Sequence, residues 1–176
     1  EYSDFFLTPV DQDFENSTTV LSVAWPLGEA ARAEIRGSHF EDRTGQNQSP
    51  DYLRTVRDSM DAQLDWRVSK AHTLGAGAMY SSERASSESY GEAMRADTGA
   101  LTLFVQDRID SGRHRAQLAL GYTDHETAGD AVTWNVEYGY ALGEATQLYG
   151  LAGTGFRAPD ATDRYGFGGN PALEPE

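Results

Sequence analysis

Acidic side chains near the start of the sequence are the first candidates for chemistry. Asp4, Asp11, Asp13 and Glu15 surround the first polar stretch of the chain. Acid-rich surfaces suit divalent cations, so these carboxylates are candidates for contact with one. The residues around Asp11 and Asp13 lack the rest of a calcium-loop pattern, however, and simple solvation of the charges is the favoured interpretation.

A second group of candidates consists of residues in or beside long polar stretches. Tyr52, Tyr90, Tyr165 and Asn170 could stack on or hydrogen-bond a large polar ligand, although tyrosines are common in loops. The four histidines are dispersed and lack the spacing of zinc ligands. We find no arrangement of nucleophile, base and acid in the sequence, and we therefore predict that the protein is not an enzyme.

The net charge of this 176-residue chain limits the classes of partner that it is expected to bind. Its 28 acidic residues outnumber its 14 basic residues, which gives a net charge of −14. Nucleic acid is not expected as a partner, because phosphate binding along a nucleic acid needs clustered positive charge. The mean hydropathy is −0.58, and no apolar run approaches the roughly 18 residues that a membrane-spanning helix needs. A β-barrel is compatible with this low hydropathy, because only every second residue of a barrel strand faces lipid.

Apolar and polar residues alternate with a period of two along most of the chain. The clearest case is residues 60–68, where every even position is apolar and the odd positions are mostly charged. A strand places those charges on one face, whereas a helix would scatter them around its circumference. The pattern predicts eight full strands and a broken strand at residues 1–6. The eight alternating segments lie at residues 17–27, 31–38, 60–68, 74–80, 101–106, 116–122, 132–142 and 146–156.

The connections between these segments alternate in length. Tight turns are predicted at residues 27–30, 69–72, 110–113 and 142–145, and longer polar links at residues 41–52, 82–96 and 124–131. Short periplasmic turns and long extracellular loops are typical of outer-membrane barrels. Aromatic residues near the short turns fit the interfacial girdle of such a barrel, and they are Trp25, Trp66, Tyr138 and Tyr140. We therefore predict an all-β protein, an antiparallel transmembrane β-barrel.

Two motifs near the end of the sequence carry a family resemblance. Residues 153–159 read Gly-Thr-Gly-Phe-Arg-Ala-Pro, and residues 169–176 read Gly-Asn-Pro-Ala-Leu-Glu-Pro-Glu. In order and spacing they resemble the strand-end and strand-entry elements of TonB-dependent receptors. The link from Tyr165-Gly166-Phe167 to Gly169-Asn170-Pro171 is most similar to the cobalamin-receptor branch of that family. Physically, Pro159 cannot donate a ladder hydrogen bond, and the sequence around Asn170 is turn chemistry. The motifs therefore mark a corner of a barrel rather than a ligand site.

The resemblance implies an outer-membrane protein of a Gram-negative bacterium. It implies a barrel of about 22 strands that encloses a plug, and residues 1–176 would be a central fragment of the barrel domain, without the plug and its TonB box. The implied partners are cobalamin or another metal chelate, TonB acting through the plug, and outer-membrane lipid and lipopolysaccharide. It also implies calcium in the extracellular loops as the one candidate cofactor, with Asp4 near the position of a metal ligand.

Transport of a scarce nutrient is therefore the first hypothesis, with cobalamin as the substrate and a ferric siderophore or haem next. The second hypothesis is a small self-contained eight-stranded barrel that acts as an adhesin or a structural protein, since eight strands suit small barrels. The third is a soluble β-sandwich, which would bury Leu64, Trp66, Val136 and Tyr138 between two sheets.

Overall fold

A computed structural model describes the backbone of residues 2–3 and 9–176, and the side chains from residue 11 onward. A two-stranded ribbon of β1 (Tyr2–Ser3) and β2 (Pro9–Val10) precedes the main sheet. The main sheet contains eight strands and is followed by a short helix, α1 (Ala161–Tyr165). The strands of the main sheet are β3 (Gln12–Leu27), β4 (Ala31–Gln46), β5 (Tyr52–Arg67), β6 (His72–Ser89), β7 (Glu92–Ser111), β8 (His114–His125), β9 (Gly129–Ala141) and β10 (Gln147–Gly153).

The main sheet is an antiparallel meander in which each strand pairs with its neighbours in sequence. The spatial order runs from β10 to β3 without a crossover, and β3 and β10 are its two edges. Such an order needs only hairpin connections. The sheet is open among the described strands, so it has the form of a section of barrel wall. The predicted eight strands and the partial antiparallel barrel are confirmed.

Alternation along each strand gives the sheet two different faces. Leu64 of β5 lies between Ala33 of β4 and Ala76 of β6, whereas its neighbour Gln63 lies between Glu34 and Gly77. We call these the apolar face and the polar face. Side chains along a strand alternate between the two faces, so the pairing of one residue fixes the face of every other residue in the paired strands.

Almost nothing on the apolar face is covered by protein. The buried apolar residues of the described chain are limited to Val56, Ala85 and Ala161. The residues that a sandwich would bury remain exposed, with relative accessibilities of 42% for Leu64, 52% for Trp66, 40% for Val136 and 46% for Tyr138. The sandwich hypothesis is therefore wrong. An apolar surface of this extent is typical of a sheet that faces lipid.

The short connections form one end of the sheet, which we call the turn end. Its connections are residues 28–30, 68–71, 112–113 and 142–146, as the sequence predicts. Gly28 and Gly112 have φ values of 73° and 63°, which favour glycine over residues with a side chain. Aromatic residues gather on the apolar face near this end, where His114 Nδ1 lies 2.7 Å from the Tyr138 hydroxyl and its ring lies 5.0 Å from that of Tyr140.

The opposite end, the loop end, differs from the prediction. The links predicted at residues 41–52, 82–96 and 124–131 are mostly strand, and the connections that remain are residues 47–51, 90–91 and 126–128. β7 reaches 20 residues, about twice the 9–11 residues that cross a membrane. The sequence does not reveal this extension, because its residues are mostly polar on both faces and no alternation is visible. Cross-strand pairs such as Arg57 with Glu83 stabilise the extended strands.

One element was absent from the prediction altogether. Residues 160–163 read Asp-Ala-Thr-Asp, and the Asp160 side chain accepts a 2.7 Å hydrogen bond from the backbone N–H of Asp163, which starts helix α1. The helix has five residues. No helix in the described part of the chain is both long enough and apolar enough to cross a membrane.

Candidate functional site

The segment after β10, residues 154–176, leaves the sheet and turns onto its polar face. Thr154 keeps contact with β9, because its N–H donates to the Trp134 carbonyl at 2.9 Å and its hydroxyl accepts from the Trp134 N–H at 3.1 Å. Two residues later, Phe156 packs edge-on against His125, with 6.4 Å between ring centroids. His125 lies on the polar face at the end of β8. The chain therefore turns toward the polar face directly after β10. We call residues 154–176 the infolded loop.

Internal hydrogen bonds fix the shape of the infolded loop. Its two ends pair through Arg157 and Glu176, whose backbone groups exchange hydrogen bonds of 2.9 and 3.0 Å. The N–H of Asn170 donates to the Asp163 carbonyl at 2.9 Å, and the Asn170 side-chain oxygen accepts from the N–H of Ala172 at 3.0 Å. The loop is thus closed on itself by backbone hydrogen bonds.

Arg164 joins the infolded loop to the sheet. Its guanidinium donates from Nη1 to the carbonyl of Thr127, in the β8–β9 turn, and from Nη2 to the carbonyl of Pro171 at 3.2 Å. Its Nε is buried without a partner among the described residues. Hydrogen bonds from a charged donor are stronger than neutral ones, so this residue holds the loop against the rim.

A cleft of about 420 Å³ lies between the infolded loop and the polar face. It touches strands β4 to β8 and also Pro159, Asp160 and Ala161, which requires the sheet to curve around the loop. Its walls combine apolar side chains such as Phe40 and Met79 with polar groups. The hydroxyls of Ser38 and Ser59 lie 2.6 Å apart, and Arg57 donates to Glu83 from two guanidinium nitrogens. A cleft of this size and mixed lining suits part of a ligand or a protein segment that has both polar and apolar groups.

Three chain segments meet at the tip of the β6–β7 hairpin. The ring of Tyr90 lies 5.0 Å from the ring of Phe167 in the infolded loop. The backbone N–H of Tyr90 donates to the Asp51 carboxylate at 3.2 Å, which links it to the β4–β5 connection. Tyr90 has a positive φ of 53° and a relative accessibility of 79%, and Phe167 is also well exposed. The tip thus presents two aromatic rings to the outside, with a carboxylate beside them.

The four predicted ligand residues fall into two pairs. Tyr52 starts β5 and follows Asp51, so it lies near the Tyr90 tip, whereas Tyr165 and Asn170 both belong to the infolded loop. The contact between Tyr90 and Phe167 connects the two pairs. Asn170 uses its side-chain oxygen inside the loop, which agrees with its interpretation as a turn residue. The role of all four in ligand binding stays a prediction.

Sequence reasoning missed Phe167 and Arg164 as residues of this site. Phe167 stands two residues after Tyr165 in the link that carries the family resemblance, and an aromatic residue in a polar loop is the only sign of a role in this site that it gives. Arg164 looks like any solvated arginine. Their contacts with Tyr90 and Thr127 join distant parts of the chain, and no local pattern encodes such pairings.

Three of the acidic residues considered for calcium lie at the loop end of β3, which is an edge strand of the sheet. Asp4 lies outside the described residues. Asp11 accepts a 3.1 Å hydrogen bond from the Asn47 side chain, and Asp13 and Glu15 share one face of β3. No group of three or more His, Asp or Glu side chains in the described part of the chain is placed to hold a metal ion. A calcium site that includes Asp4 therefore stays a prediction.

Comparisons with known proteins bear on the whole sheet. The model of the family described as "TonB dependent receptor-like, beta-barrel" matches residues 2–176. The vitamin B12 transporter BtuB of Vibrio vulnificus (strain YJ016) is 29% identical over 130 residues, which cover 70% of this chain and 21% of the transporter. The crystal structure of the siderophore receptor PirA from Pseudomonas aeruginosa superposes with a TM-score of 0.66 at 15% identity, over 84% of this chain and 28% of the receptor. The chain thus spans only about a fifth to just over a quarter of the length of these relatives.

Proposed function

Because this chain belongs to the TonB-dependent receptor β-barrel family, we propose that it forms part of the wall and outer rim of an outer-membrane receptor that imports a scarce nutrient. One observation carries the proposal: a single-layer sheet has an exposed apolar face, and its polar face is partly covered by a loop folded in from the rim. The apolar face would contact lipid at the outer membrane. The family is one of receptors rather than enzymes.

Cobalamin is the substrate that we propose first. Support comes from the likeness to a protein named as a vitamin B12 transporter and from the loop end, where Tyr52, Tyr90 and Tyr165 offer ring faces and hydroxyls to a large polar ligand. Asn170 would act mainly by shaping the loop. A ferric siderophore is the second candidate, because a siderophore receptor shares the fold, and haem is the third.

Energy for transport would come from TonB through a plug domain. The polar face offers hydrogen-bonding groups to such a plug, since Arg108 donates to Asp65 at 2.7 Å and Glu34 accepts from both Arg32 and Arg36. A water-filled or plug-filled lumen needs a polar lining, whereas a tightly closed small barrel has a packed interior.

The alternative is a self-contained eight-stranded barrel that acts as an adhesin or a structural protein. Closure of that barrel requires β3 to pair with β10, and these strands are opposite edges of the described sheet. An exposed edge invites pairing with further strands. The open sheet therefore favours a wall segment over a closed barrel.

The test is binding and uptake of labelled cobalamin by cells that express the full receptor, with TonB present or absent. We expect surface binding in both strains and accumulation only where TonB is present. Uptake of a ferric siderophore or haem in place of cobalamin would contradict the proposed substrate but support the proposed transport function. A complete lack of TonB-dependent uptake for all three would overturn the proposed function.

A further inference from the structure

The polar face has a charged part and a neutral part at the same height. Three successive cross-strand rows run across strands β4 to β8. Five of the six polar-face residues within 32–36 of β4 and 61–65 of β5 are charged. In the same rows, none of the polar-face residues within 75–79 of β6, 102–106 of β7 and 119–123 of β8 is charged. We call this second group the neutral panel.

Side chains of the neutral panel lie along the wall rather than projecting from it. The Phe104 ring covers Gly77, its direct cross-strand partner, where an added Cβ atom would lie 2.6 Å from the ring. The Gln106 side chain covers Gly75 in the same way, at 2.7 Å. Because neither glycine has a side chain of its own, β6 and β7 together present a smooth surface of ring, amide and backbone groups.

The neutral panel connects two cavities on the polar face. Met79 belongs to its upper row and also lines the cleft of about 420 Å³ under the infolded loop. A second cavity of about 380 Å³ lies toward the turn end. It is lined by Thr73, Arg108 and Gln117, which form the row directly below the panel. An uncharged track therefore runs along the wall from the infolded loop down to Arg108, near the turn end.

A moving ligand meets a lower barrier on the neutral panel than on the charged strands beside it. On β4, Glu34 accepts hydrogen bonds from both Arg32 and Arg36, and a ligand that slides across these groups must displace their water. Removing water from an ion costs far more than removing it from a hydroxyl or an amide. A conduction path also needs contacts that are weak and repeated, so that the ligand can leave each of them. The charged strands instead suit a plug segment that stays in place, because fixed partners can satisfy fixed charges.

We propose that the neutral panel lines the path along which the nutrient moves through the lumen, and that this path selects large metal chelates without ionised groups at their periphery. The lumenal setting rests on the proposed function. Within the panel, the hydroxyls of Thr102 and Thr123 lie 3.0 Å apart, and with the Gln106 amide they offer neutral hydrogen-bonding groups. The Phe104 ring adds apolar contact. A chelate that carries amide groups on an apolar framework matches this surface, whereas one with several carboxylates would lose water without gaining a cationic partner in these rows.

The first test locates the ligand during transport. Cells that express the full receptor take up cobalamin that carries a photoreactive aryl azide, and light is applied with TonB present or absent. We expect cross-links in peptides that contain residues 75–79, 102–106 or 119–123, and only where TonB is present, because the path opens during transport. Cross-links confined to residues 32–36 and 61–65 would overturn the proposal.

The second test compares one substitution on the two parts of the wall. Gln106 of β7 lies in the neutral panel, and Gln63 of β5 lies one row nearer the loop end, among the charged residues. Gln106→Glu should lower the maximal rate of cobalamin uptake about fivefold or more, because the new carboxylate must lose water as the ligand passes. Gln63→Glu should keep the wild-type rate, and so should the uncharged variant Gln106→Met. Surface binding should be the same in all three variants, because the ligand first binds at the loop end, and it also shows that each variant folds.

The outcomes separate this proposal from the proposed function. Equal uptake rates for Gln106→Glu and Gln63→Glu, or a loss in Gln106→Met equal to that in Gln106→Glu, contradict the neutral panel. TonB-dependent uptake by the wild type upholds the proposed function in either case. A wild-type receptor that accumulates none of cobalamin, a ferric siderophore and haem overturns both proposals, because the panel then has no transport path to line.

Discussion

The ring of Tyr90 packs against the ring of Phe167, with 5.0 Å between their centroids and an angle of 45° between their planes. This contact joins the tip of the β6–β7 hairpin to the infolded loop, and both residues remain exposed on their outer sides. An aromatic pair contributes about 0.5–1.5 kcal/mol beyond its buried area. The contact is therefore strong enough to bias the position of the loop.

The first prediction concerns this aromatic contact. Phe167→Ala should free the infolded loop from the hairpin tip, because Tyr90 then loses its partner. We expect limited proteolysis of the full receptor to cleave within residues 154–176 several times faster, and cobalamin affinity to fall by about 2- to 13-fold, the equivalent of the aromatic pair. Tyr149→Ala removes an exposed aromatic ring toward the turn end of β10, outside the loop and its contacts with the hairpin tip. The same acceleration in that control would contradict a specific role for Phe167.

The second prediction concerns Arg164, which bonds to the carbonyls of Thr127 and Pro171. Because hydrogen bonds from a charged donor contribute about 1.5–3 kcal/mol each, Arg164→Ala should release the loop more completely than Phe167→Ala. Hydrogen exchange of peptides covering residues 157–173 in the full receptor measures this release. Arg164→Lys keeps the charge but loses the two-carbonyl geometry, and it should give intermediate protection. Unchanged exchange in Arg164→Ala would show that the loop is held by other contacts.

Much of this fold is visible in the sequence because its signal is local. Alternation over residues 60–68 identifies β5 and also tells which residues face outward. The loop end is different, because residues 81–89 of β6 are polar on both faces apart from Ala85, and polarity on both sides of a strand resembles a loop. The ladder continues there through ion pairs between neighbouring strands, such as that of Arg57 with Glu83. A search for hydrophobic periodicity cannot detect such pairs.

The candidate site is less predictable than the sheet. Tyr52, Tyr90 and Tyr165 can be selected as loop aromatics, but their spatial grouping depends on the infolded loop. That loop is positioned by Arg164, whose partner Thr127 lies in another turn of the sheet. The motif at residues 153–159 marks the place where the chain leaves the sheet, yet it carries no information about the direction in which the chain then turns.

The third prediction concerns calcium. If Asp4 is a ligand, isothermal titration of calcium into the full receptor should show a binding event that Asp4→Ala weakens or removes, because each carboxylate is a large part of the charge of such a site. Asp124→Ala, at the end of β8, is a control for the general loss of an acidic side chain. Identical titration curves for wild type and Asp4→Ala would exclude Asp4 as a ligand.

The fourth prediction tests which face of the sheet meets lipid. Ala62 is exposed on the apolar face near the middle of the span, and its neighbour Gln63 projects from the polar face. Ala62→Arg should destabilise the membrane-inserted barrel by about 2–4 kcal/mol, whereas Gln63→Arg should cost little, because only the first places a charge in hydrocarbon. The fraction of full receptor that resists unfolding at room temperature in a heat-modifiability gel measures the difference. Equal effects at the two adjacent positions would contradict the assignment of faces.

The fifth prediction concerns Gly77, on the polar face of β6. A Cβ atom at this position would lie 2.6 Å from the Phe104 ring and 2.7 Å from the backbone carbonyl oxygen of Ala62. The ring can move, but the carbonyl belongs to the neighbouring strand of the ladder, so the backbone must shift. We expect Gly77→Val to reduce the yield of folded receptor and to lower its thermal midpoint. Gly37→Ala, where no atom lies within 4 Å of the added Cβ, is the matched control on β4. A Gly77→Val receptor as stable as Gly37→Ala would show that the sheet accommodates a side chain beneath Phe104.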